Sequence, residues 1–598
     1  MSREMREFKT ERCGLLPMGS GLDGNDLHFS INTRENLDKI MLFLHGSKKP
    51  AGFAVIDEDK HFGNLYAFKV KNAAKYDYAL MAGGKYIRDE YAKVVNRYEA
   101  EGEEGEYLET YSTYVDDFDW EEDKQVFHSF EDTVIYRLHI RGFTKHTSSK
   151  VKNKGCYAGI IEKIPYLTEL GITSVELMPA YEFDTMIPEG MARGVQNYWG
   201  YNTACYFAPK ASFSRHGKGN QINEFKDMVK HLHKNNIEVI MEFHFTEGMS
   251  PHTIIDVLRF WVLEYHIDGI HANFNVAPLN MIKSDPVISM VKLISNYDTG
   301  ENIDGWNMFK EQKRFAVVND NFMNCERRFI KSDDNQVSDM MINVRSNPNQ
   351  YALINYLSNH NTMSLMDSVS YERKHNEANG ENNSDGSNYN FSWNCGVEGP
   401  SRRKKIVELR RQQIKNGISL LMLSQGTPMI YAGDEMGKSC KGNNNPYCQD
   451  NEISWLNWND LKTNHEIFEF MKKMIAFRRE NKVLHQFEEP KMIDYMSCGC
   501  PDLSYHGAEP WRVDQSYNSR SFACMYYGAY GNKGDKDIYI ACNMNWDERQ
   551  FAIPYTDKRK TWKICFITDK SIQKQTVQRM ITVPQRTVCV LINENTKA

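Results

Sequence analysis

The chain has 598 residues, of which 41% are hydrophobic and 25% charged, and its formal net charge is -6 at pH 7. These values are ordinary for a globular protein of several domains, and the acidic balance argues against nucleic acid or an anionic membrane as the partner. No apolar run of about eighteen residues occurs in the sequence, so we expect no transmembrane helix and no membrane partner.

The N-terminal segment and the cysteines both give information on the cellular compartment of the protein. Residues 1–16 are charged and lack the apolar core of a signal peptide. The 13 cysteines form no C-x-x-C pair, so we expect free thiols in a reducing cytoplasm, with no bound metal or other cofactor. Cys440 with Cys448, or Cys498 with Cys500, are alternative metal ligands, but no histidine cluster accompanies them.

The N-terminal part of the chain predicts short strands. Residues 27–32, 39–45 and 64–70 alternate apolar and polar side chains, and turn residues separate these segments. This pattern is typical of a small β-sandwich, which we assign to residues 1–115. The acidic, glycine-containing stretch 97–109 predicts an exposed loop.

From about residue 132 onward, predicted strands and helices alternate. The predicted strands are 133–140, 172–179, 237–243, 267–274 and 428–433, an apolar segment spans 352–360, and the predicted helices are 159–170, 224–236, 253–265, 402–423 and 465–480. This alternation predicts a parallel sheet, and at this length a closed (β/α)8 TIM barrel, which we assign to residues 116–484. Strand-like segments return afterwards and predict a C-terminal all-β domain over residues 485–598. The predicted fold class is therefore multidomain α/β.

Four segments carry the strongest motif signal, and the last two are rich in asparagine and glycine. They are 163–184, 197–214, 370–400 (SYERKHNEANGENNSDGSNYNFSWNCGVEGP) and 424–458. Long polar loops after strands are typical of a barrel mouth, and aromatic and amide side chains suit sugars because they offer stacking faces and hydrogen bonds. Together these segments resemble the isoamylase and glycogen-debranching branch of the α-amylase family of glycoside hydrolases. The resemblance covers nearly the whole chain and implies a glucan-binding type of N-terminal sandwich.

This resemblance implies a retaining glycosidase, which needs two carboxyl groups about 5–5.5 Å apart, and in this family a third that holds the substrate. The family's nucleophile ends the phrase D-G-F-R-F-D. The matching residues here read D-G-I-H-A-N, so Asn273 stands at the nucleophile position and His271 at the position of the arginine. An amide is a very poor nucleophile and cannot form the usual glycosyl ester.

The other two acid positions are changed as well. The family's general acid opens a phrase similar to E-P-W-D-x-G, and the matching phrase here, S-N-Y-D-T-G, begins at Ser295. The third acid follows a histidine in H-D-G-F-T-L, where this chain has His360 and then Asn361. A serine hydroxyl is far too weak an acid, and asparagine keeps hydrogen bonding but carries no charge. We therefore predict that the catalytic residues are degenerate and that hydrolysis by this mechanism is lost.

Other residues could still serve chemistry or binding. Glu242 and Asp298 lie near the predicted ends of barrel strands and are possible substitute carboxylates. Tyr201 matches the tyrosine that stacks beneath the sugar beside the scissile bond, and His360 matches a histidine that binds the hydroxyls of that sugar. With His271 they form the predicted substrate-binding set, although each could instead be a packed residue of the barrel rim.

Three functions stay open. The first is a non-catalytic subunit that binds glycogen-like α-glucan or maltooligosaccharide, or that regulates an active debranching enzyme as its partner. The second is an active α-1,6-glucan hydrolase with relocated carboxylates, and the third is an interaction scaffold that ignores sugars. An open cleft with exposed aromatic residues would favour the first, two carboxylates facing each other the second, and a blocked cleft the third.

Overall fold

The computed structural model describes residues 5–14, 18–99, 107–186, 193–202, 204–216, 219–297, 312–555, 560–569 and 576–595. An eight-stranded barrel lies between two β regions in chain order. This arrangement confirms the predicted fold class.

Two sheets form the N-terminal region. Its strands are β1 Arg6–Glu7, β2 Thr10–Arg12, β3 Gly19–Asp23, β4 Asp26–Asn32, β5 Leu37–Leu44, β6 Pro50–Val55, β7 His61–Phe62, β8 Leu65–Val70, β9 Tyr76–Ala82, β10 Lys85–Ile87, β11 Val94–Glu99 and β12 Tyr107–Ser112. One sheet has the order β1-β6-β5-β9-β12-β11, with β10 beside β9, and the other has the order β2-β8-β4-β3, with β7 beside β8. Phe29 of β4 meets Tyr78 of β9 at 4.9 Å between ring centroids, so the two sheets pack face to face as a sandwich.

The central region closes into a barrel. Its strands are β13 Ile135–Leu138, β14 Ser174–Leu177, β15 Tyr181–Phe183, β16 Ala204–Pro209, β17 Glu238–Phe243, β18 Gly269–Ala272, β19 Lys292–Ser295, β20 Phe315–Val318, β21 Ala352–Tyr356 and β22 Thr427–Tyr431. β15 and β16 form a separate hairpin, and the other eight strands run parallel, with β22 pairing back to β13. Gly269 allows a close approach inside the wall, because an added Cβ would lie 2.8 Å from the Ile240 side chain.

Helices surround the barrel as the alternating pattern predicts. They are α1 Ile140–Thr144, α2 Tyr157–Ile161, α3 Ile164–Leu170, α4 Asn220–Lys234, α5 Pro251–Tyr265, α6 Leu279–Ser284, α7 Asp320–Lys331, α8 Val337–Arg345, α9 Leu365–Ser368, α10 Lys404–Leu423, α11 Asp460–Thr463 and α12 His465–Glu480. The helix predicted over 159–170 is two helices in the structure, α2 and α3. Pro165 lies in the first turn of α3, where its missing N–H costs nothing, whereas inside one continuous helix it would break a hydrogen bond.

The C-terminal region is all β. Its strands are β23 Leu503–His506, β24 Ser521–Tyr526, β25 Ile538–Asn543, β26 Arg549–Ala552, β27 Lys560–Ile567, β28 Thr576–Val577, β29 Met580–Val583 and β30 Thr587–Asn595. A six-stranded sheet, β23-β24-β25-β30-β27-β28, packs with the β26-β29 pair around a shared apolar core. Among the described residues, no helix has the length and apolar character needed to span a bilayer.

Candidate functional site

The mouth of the barrel holds a cavity of about 780 Å³ at the carboxyl ends of its strands. Five of the predicted site residues line it, namely Tyr201, Glu242, Asn273, His360 and Asn361. Other residues of its wall that matter below are Trp199, Asn296, Tyr297, Asp320, Arg327, Tyr356, Tyr389, Asn390 and Phe391. Aromatic and amide side chains dominate this wall, which is the chemistry that sugar binding requires.

A buried arginine lies beneath the cavity floor and is bonded to side chains that line it. Arg137 of β13 is fully buried, and its guanidinium lies between the carboxylates of Glu176 on β14 and Glu242 on β17. It donates to Glu242 Oε2 at 2.7 Å and also donates to Glu176. Buried charges are stable only when they are paired and hydrogen-bonded, so these three side chains depend on one another.

The environment of Glu242 restricts what this carboxyl group can do. Burial alone would raise its pKa, but the charge of Arg137 holds the pKa below its ordinary value. Tyr201 donates its hydroxyl to Oε2 at 2.8 Å. Glu242 is therefore ionised at neutral pH, where it can act as a base or nucleophile but has no proton to give to a leaving oxygen.

The two predicted sugar-binding side chains lie together on the cavity wall. The rings of Tyr201 and His360 are 5.2 Å apart between centroids, and Trp199 packs edge-on against His360 at 4.7 Å. His360 Nδ1 lies 3.0 Å from Asn359 Oδ1. Burial, followed by the charge of Arg137, lowers the pKa of His360 to about 3. The imidazole is thus neutral near pH 7 and can exchange hydrogen bonds with a hydroxyl group.

Asn273 is tied to the backbone of the neighbouring strand end. Its Nδ2 donates to the Phe245 carbonyl at 2.9 Å, and its Oδ1 accepts from the Phe245 N–H at 2.9 Å. This pair of bonds needs one donor and one acceptor, and an ionised carboxylate has no donor. The Asn273 amide therefore holds the chain after β17 against the chain after β18.

Ser295 and His271 do not line the cavity. Ser295 is fully buried and donates to the Tyr297 carbonyl at 2.7 Å, whereas Asn296 lines the cavity. Successive side chains of a strand point to opposite faces, so only one of this pair can face the cleft. His271 is also buried, with its Nδ1 2.7 Å from Glu176 Oε1 and its Nε2 2.9 Å from Asn296 Oδ1. Asn296, like Ser295, has no carboxyl group.

The described cavity wall contains a second carboxylate that the sequence analysis missed. Asp320 follows β20, is exposed, and accepts from the Tyr356 hydroxyl at 2.6 Å. Its position two residues after the apolar strand Phe-Ala-Val-Val was a usable signal, as was the single charge of Arg137 within Ile-Tyr-Arg-Leu. Asn361 is exposed on the wall, and the candidate Asp298 lies outside the described residues.

The loops above the floor are fixed by side-chain amides. Asn444 is fully buried, and its Nδ2 donates to Asn390 Oδ1 at 2.7 Å and to the Ser387 carbonyl at 2.8 Å. Asn376, also fully buried, donates to Asn444 Oδ1 at 2.9 Å. These bonds join the two loops 370–400 and 440–458, so the asparagine-rich motifs build the rim of the cleft.

The alternative metal ligands do not converge. Cys440, Cys448 and Cys500 are buried free thiols, and Cys498 is a partly exposed one. Within the part of the chain that the structure describes, no group of three histidine, cysteine, aspartate or glutamate side chains is arranged to hold a metal ion.

Comparison with known proteins agrees with this architecture. The α-amylase catalytic-domain family matches residues 128–253. The catalytic module of the multi-modular glycogen-degrading pneumococcal virulence factor SpuA superimposes with a TM-score of 0.74 at 15% identity, over 97% of each chain. A pullulanase from Bacillus acidopullulyticus gives a TM-score of 0.69 at 18% identity, over 96% of this chain and 74% of that one. At these identities the two structures show the fold alone.

Two curated relatives are closer in sequence. A glycogen operon protein GlgX homolog of Mycobacterium tuberculosis is 35% identical over 445 residues, which are 62% of this chain and 61% of that protein. The chloroplastic isoamylase 3 of Oryza sativa subsp. japonica is 31% identical over 587 residues, which are 84% of this chain and 73% of that protein. The chain belongs to the isoamylase and glycogen-debranching branch of the α-amylase family.

Proposed function

We propose that this protein binds an α-glucan in the barrel cleft and does not hydrolyse it. The observation that carries the proposal is Asn273, whose amide uses both its donor and its acceptor to hold Phe245. The nucleophile position is thus occupied by a group with a structural role. Asn296 and Asn361, on the same wall, offer hydrogen bonds without charge.

The chemistry of the floor supports the same proposal. Retaining hydrolysis requires one carboxylate to attack and a second, protonated one to donate to the leaving oxygen. Glu242 is ionised and held by Arg137 and Tyr201. Tyr201, His360 and Trp199 still present an aromatic and hydrogen-bonding wall. Affinities between micromolar and millimolar, about -4 to -8 kcal/mol, are expected of such a site.

An active debranching hydrolase is the second candidate. Glu242 and Asp320 line the same cavity, and the curated relatives bear the names of isoamylases and of glycogen operon proteins. In this candidate Glu242 is the base or nucleophile, and Asp320 is the second carboxyl group of the pair.

One set of assays separates the two candidates. Reducing-end release from glycogen, amylopectin and pullulan is measured for the wild type, Glu242→Gln and Asp320→Asn, and retardation by glycogen is measured in affinity electrophoresis. The proposal predicts retardation of the wild type without release of reducing ends. Release that is lost in Glu242→Gln and Asp320→Asn, but kept in the exposed control Asp514→Asn, would establish the hydrolase instead.

The role in the cell follows from the same reading. A cleft that holds glucan without cutting it suits a subunit that brings an active debranching enzyme to its substrate. All thirteen cysteines are free thiols, as expected in a reducing compartment such as the cytoplasm. Two measurements test this role. The protein should co-purify with an active debranching enzyme, and its addition should increase the rate of that enzyme on glycogen.

A further inference from the structure

An exposed tyrosine lies on the cavity wall away from the floor. Tyr389, in the loop between β21 and β22, lines the cavity and yet is 80% exposed. A single exposed apolar residue is ordinary in a folded protein, so exposure alone indicates nothing. The surroundings of Tyr389 are what distinguish it.

The backbone on both sides of Tyr389 is anchored to buried groups. Ser387 Oγ accepts from the Tyr389 N–H at 3.0 Å, and the Ser387 carbonyl accepts from Asn444 at 2.8 Å. On the other side, the Asn390 carbonyl accepts from the buried Arg327 at 3.1 Å. The segment is therefore ordered before any ligand arrives. Covering the ring then costs less conformational entropy than covering a ring on a mobile loop.

The same segment stores backbone strain. Phe391, two residues further on, has a φ of 51°, and its side chain also lines the cavity. A bulky residue in the left-handed region is strained and persists only where its surroundings enforce it. Such strain is concentrated at ligand sites, so we attribute the conformation of residues 387–391 to ligand binding and not to loop closure alone.

A second exposed tyrosine lines the same cavity. Tyr297, which follows β19, is 42% exposed. Asp320, after β20, and Tyr389, in the loop after β21, line the cavity as well, and β19, β20 and β21 are neighbours in the barrel. Aromatic faces and a carboxylate on one cavity wall suit a pyranose ring, whose C–H face stacks while its hydroxyls donate to the carboxylate.

We propose that Tyr389 and Tyr297 form an outer subsite, which stacks on a glucose unit of an α-glucan chain further from the floor than the unit at Tyr201. This inference rests on the proposed function and adds to it a preference for longer glucan chains. A chain long enough to reach both Tyr201 and Tyr389 binds more tightly than a short one, and the extra affinity depends on the Tyr389 ring.

Calorimetric titration with maltose and with maltoheptaose tests the outer subsite. For the wild type we expect tighter binding of maltoheptaose than of maltose. In Tyr389→Ala the affinity for maltoheptaose should fall about two- to tenfold, as expected for the loss of one stacking ring. Maltose binding should be unchanged, and Tyr389→Phe should keep the wild-type affinities because the stacking face remains.

The matched control is Tyr555→Ala, which removes a tyrosine that is 66% exposed and absent from the cavity wall. It should leave both affinities unchanged. If the wild type binds maltoheptaose and Tyr389→Ala binds it equally well, the outer subsite is refuted while the proposed function stands. If the wild type binds neither sugar, both are refuted. Circular dichroism of each variant verifies its fold.

Discussion

The rim and the floor of the cleft are held together by different interactions. In the rim, residues 370–400 and 440–458 are joined by a buried asparagine network. In the floor, Asn273 bonds to the backbone of Phe245, and the charges lie in the Arg137 network. Ordered loops above such a floor support the proposal that the cleft holds a sugar chain without cutting it.

The largest expected effect on stability comes from removing the cation of the Arg137 network. Arg137→Met leaves Glu176 and Glu242 buried without their cation, so the free energy of unfolding should fall by about 3–5 kcal/mol. Urea denaturation measures this change. Adding Glu176→Gln and Glu242→Gln to the same variant should restore part of the loss, because uncharged amides do not need the cation.

The control is Arg402→Met, at an exposed position before α10, which should change stability by less than about 0.5 kcal/mol. An Arg137→Met variant as stable as this control would show that the floor network does not hold the barrel mouth together.

A smaller effect is expected from restoring one acid. Asn273→Asp removes the donor to the Phe245 carbonyl and places a carboxylate against that oxygen, so it should cost about 1–3 kcal/mol. Asn361→Asp, on the exposed wall, is the matched change and should cost less than about 0.5 kcal/mol. If Asn273→Asp and Asn361→Asp were equally stable in thermal melts, the amide at position 273 would have no structural role.

Restoring all the acids should not restore hydrolysis. Asn273→Asp, Asn296→Glu and Asn361→Asp together leave Arg137 and Glu242 in place, and catalysis tolerates only about 0.5 Å of displacement. Reducing-end release from pullulan by this triple variant, well above the buffer control, would mean that the floor has decayed less than we infer.

Asp434 links the floor to the rim and gives a pH test. Both of its carboxylate oxygens accept from Ser358 Oγ at 2.7 Å, and it also accepts from the Leu365 N–H, so it holds the segment that carries His360 and Asn361. Burial raises its pKa to about 7. The folded state therefore keeps this proton at pH values where the unfolded chain has lost it, and stability is lost as the pH rises from about 4 through 7.

Asp434→Asn removes this titration. The melting temperature of the variant, measured relative to the wild type, should rise between about pH 4 and pH 8. Buried histidines with lowered pKa values, such as His360, change stability in the opposite direction, but they are present in both proteins and cancel in the difference. Asp514→Asn, at an exposed site, should give a flat difference. A flat difference for Asp434→Asn as well would contradict the proposed role of this proton.

The smallest expected effect, on maltooligosaccharide binding, comes from changing Tyr201 on the cavity wall. Tyr201→Ala removes a ring that packs beside His360, and should weaken maltooligosaccharide binding about two- to tenfold. Tyr201→Phe keeps the ring and loses only the hydrogen bonds of the hydroxyl with Glu242 and Arg137, so it should bind nearly as well as the wild type. Calorimetry measures both. Unchanged binding in Tyr201→Ala would place the glucan elsewhere on the molecule.

The sequence was most informative where local pattern decides the structure. The helix predicted over 465–480 has those same bounds in the structure, because its apolar spacing is regular, while Pro165 divided another predicted helix. The barrel and the position of Asn273 at a strand end were also predictable. Residues that meet only through the closed barrel were not, because Arg137 and Glu242 are 105 positions apart. The cavity is lined by Asn296 and not by Ser295, because along a strand one residue reverses the face.

The most direct test of the central claim is calorimetric titration of the wild type with a branched maltodextrin. We predict heats that saturate as sites fill and then return to the heat of dilution, which is the signature of binding without turnover. A sustained heat that scales with protein concentration and vanishes in Glu242→Gln would contradict the account, because it would show that the floor still cuts the glucan it holds.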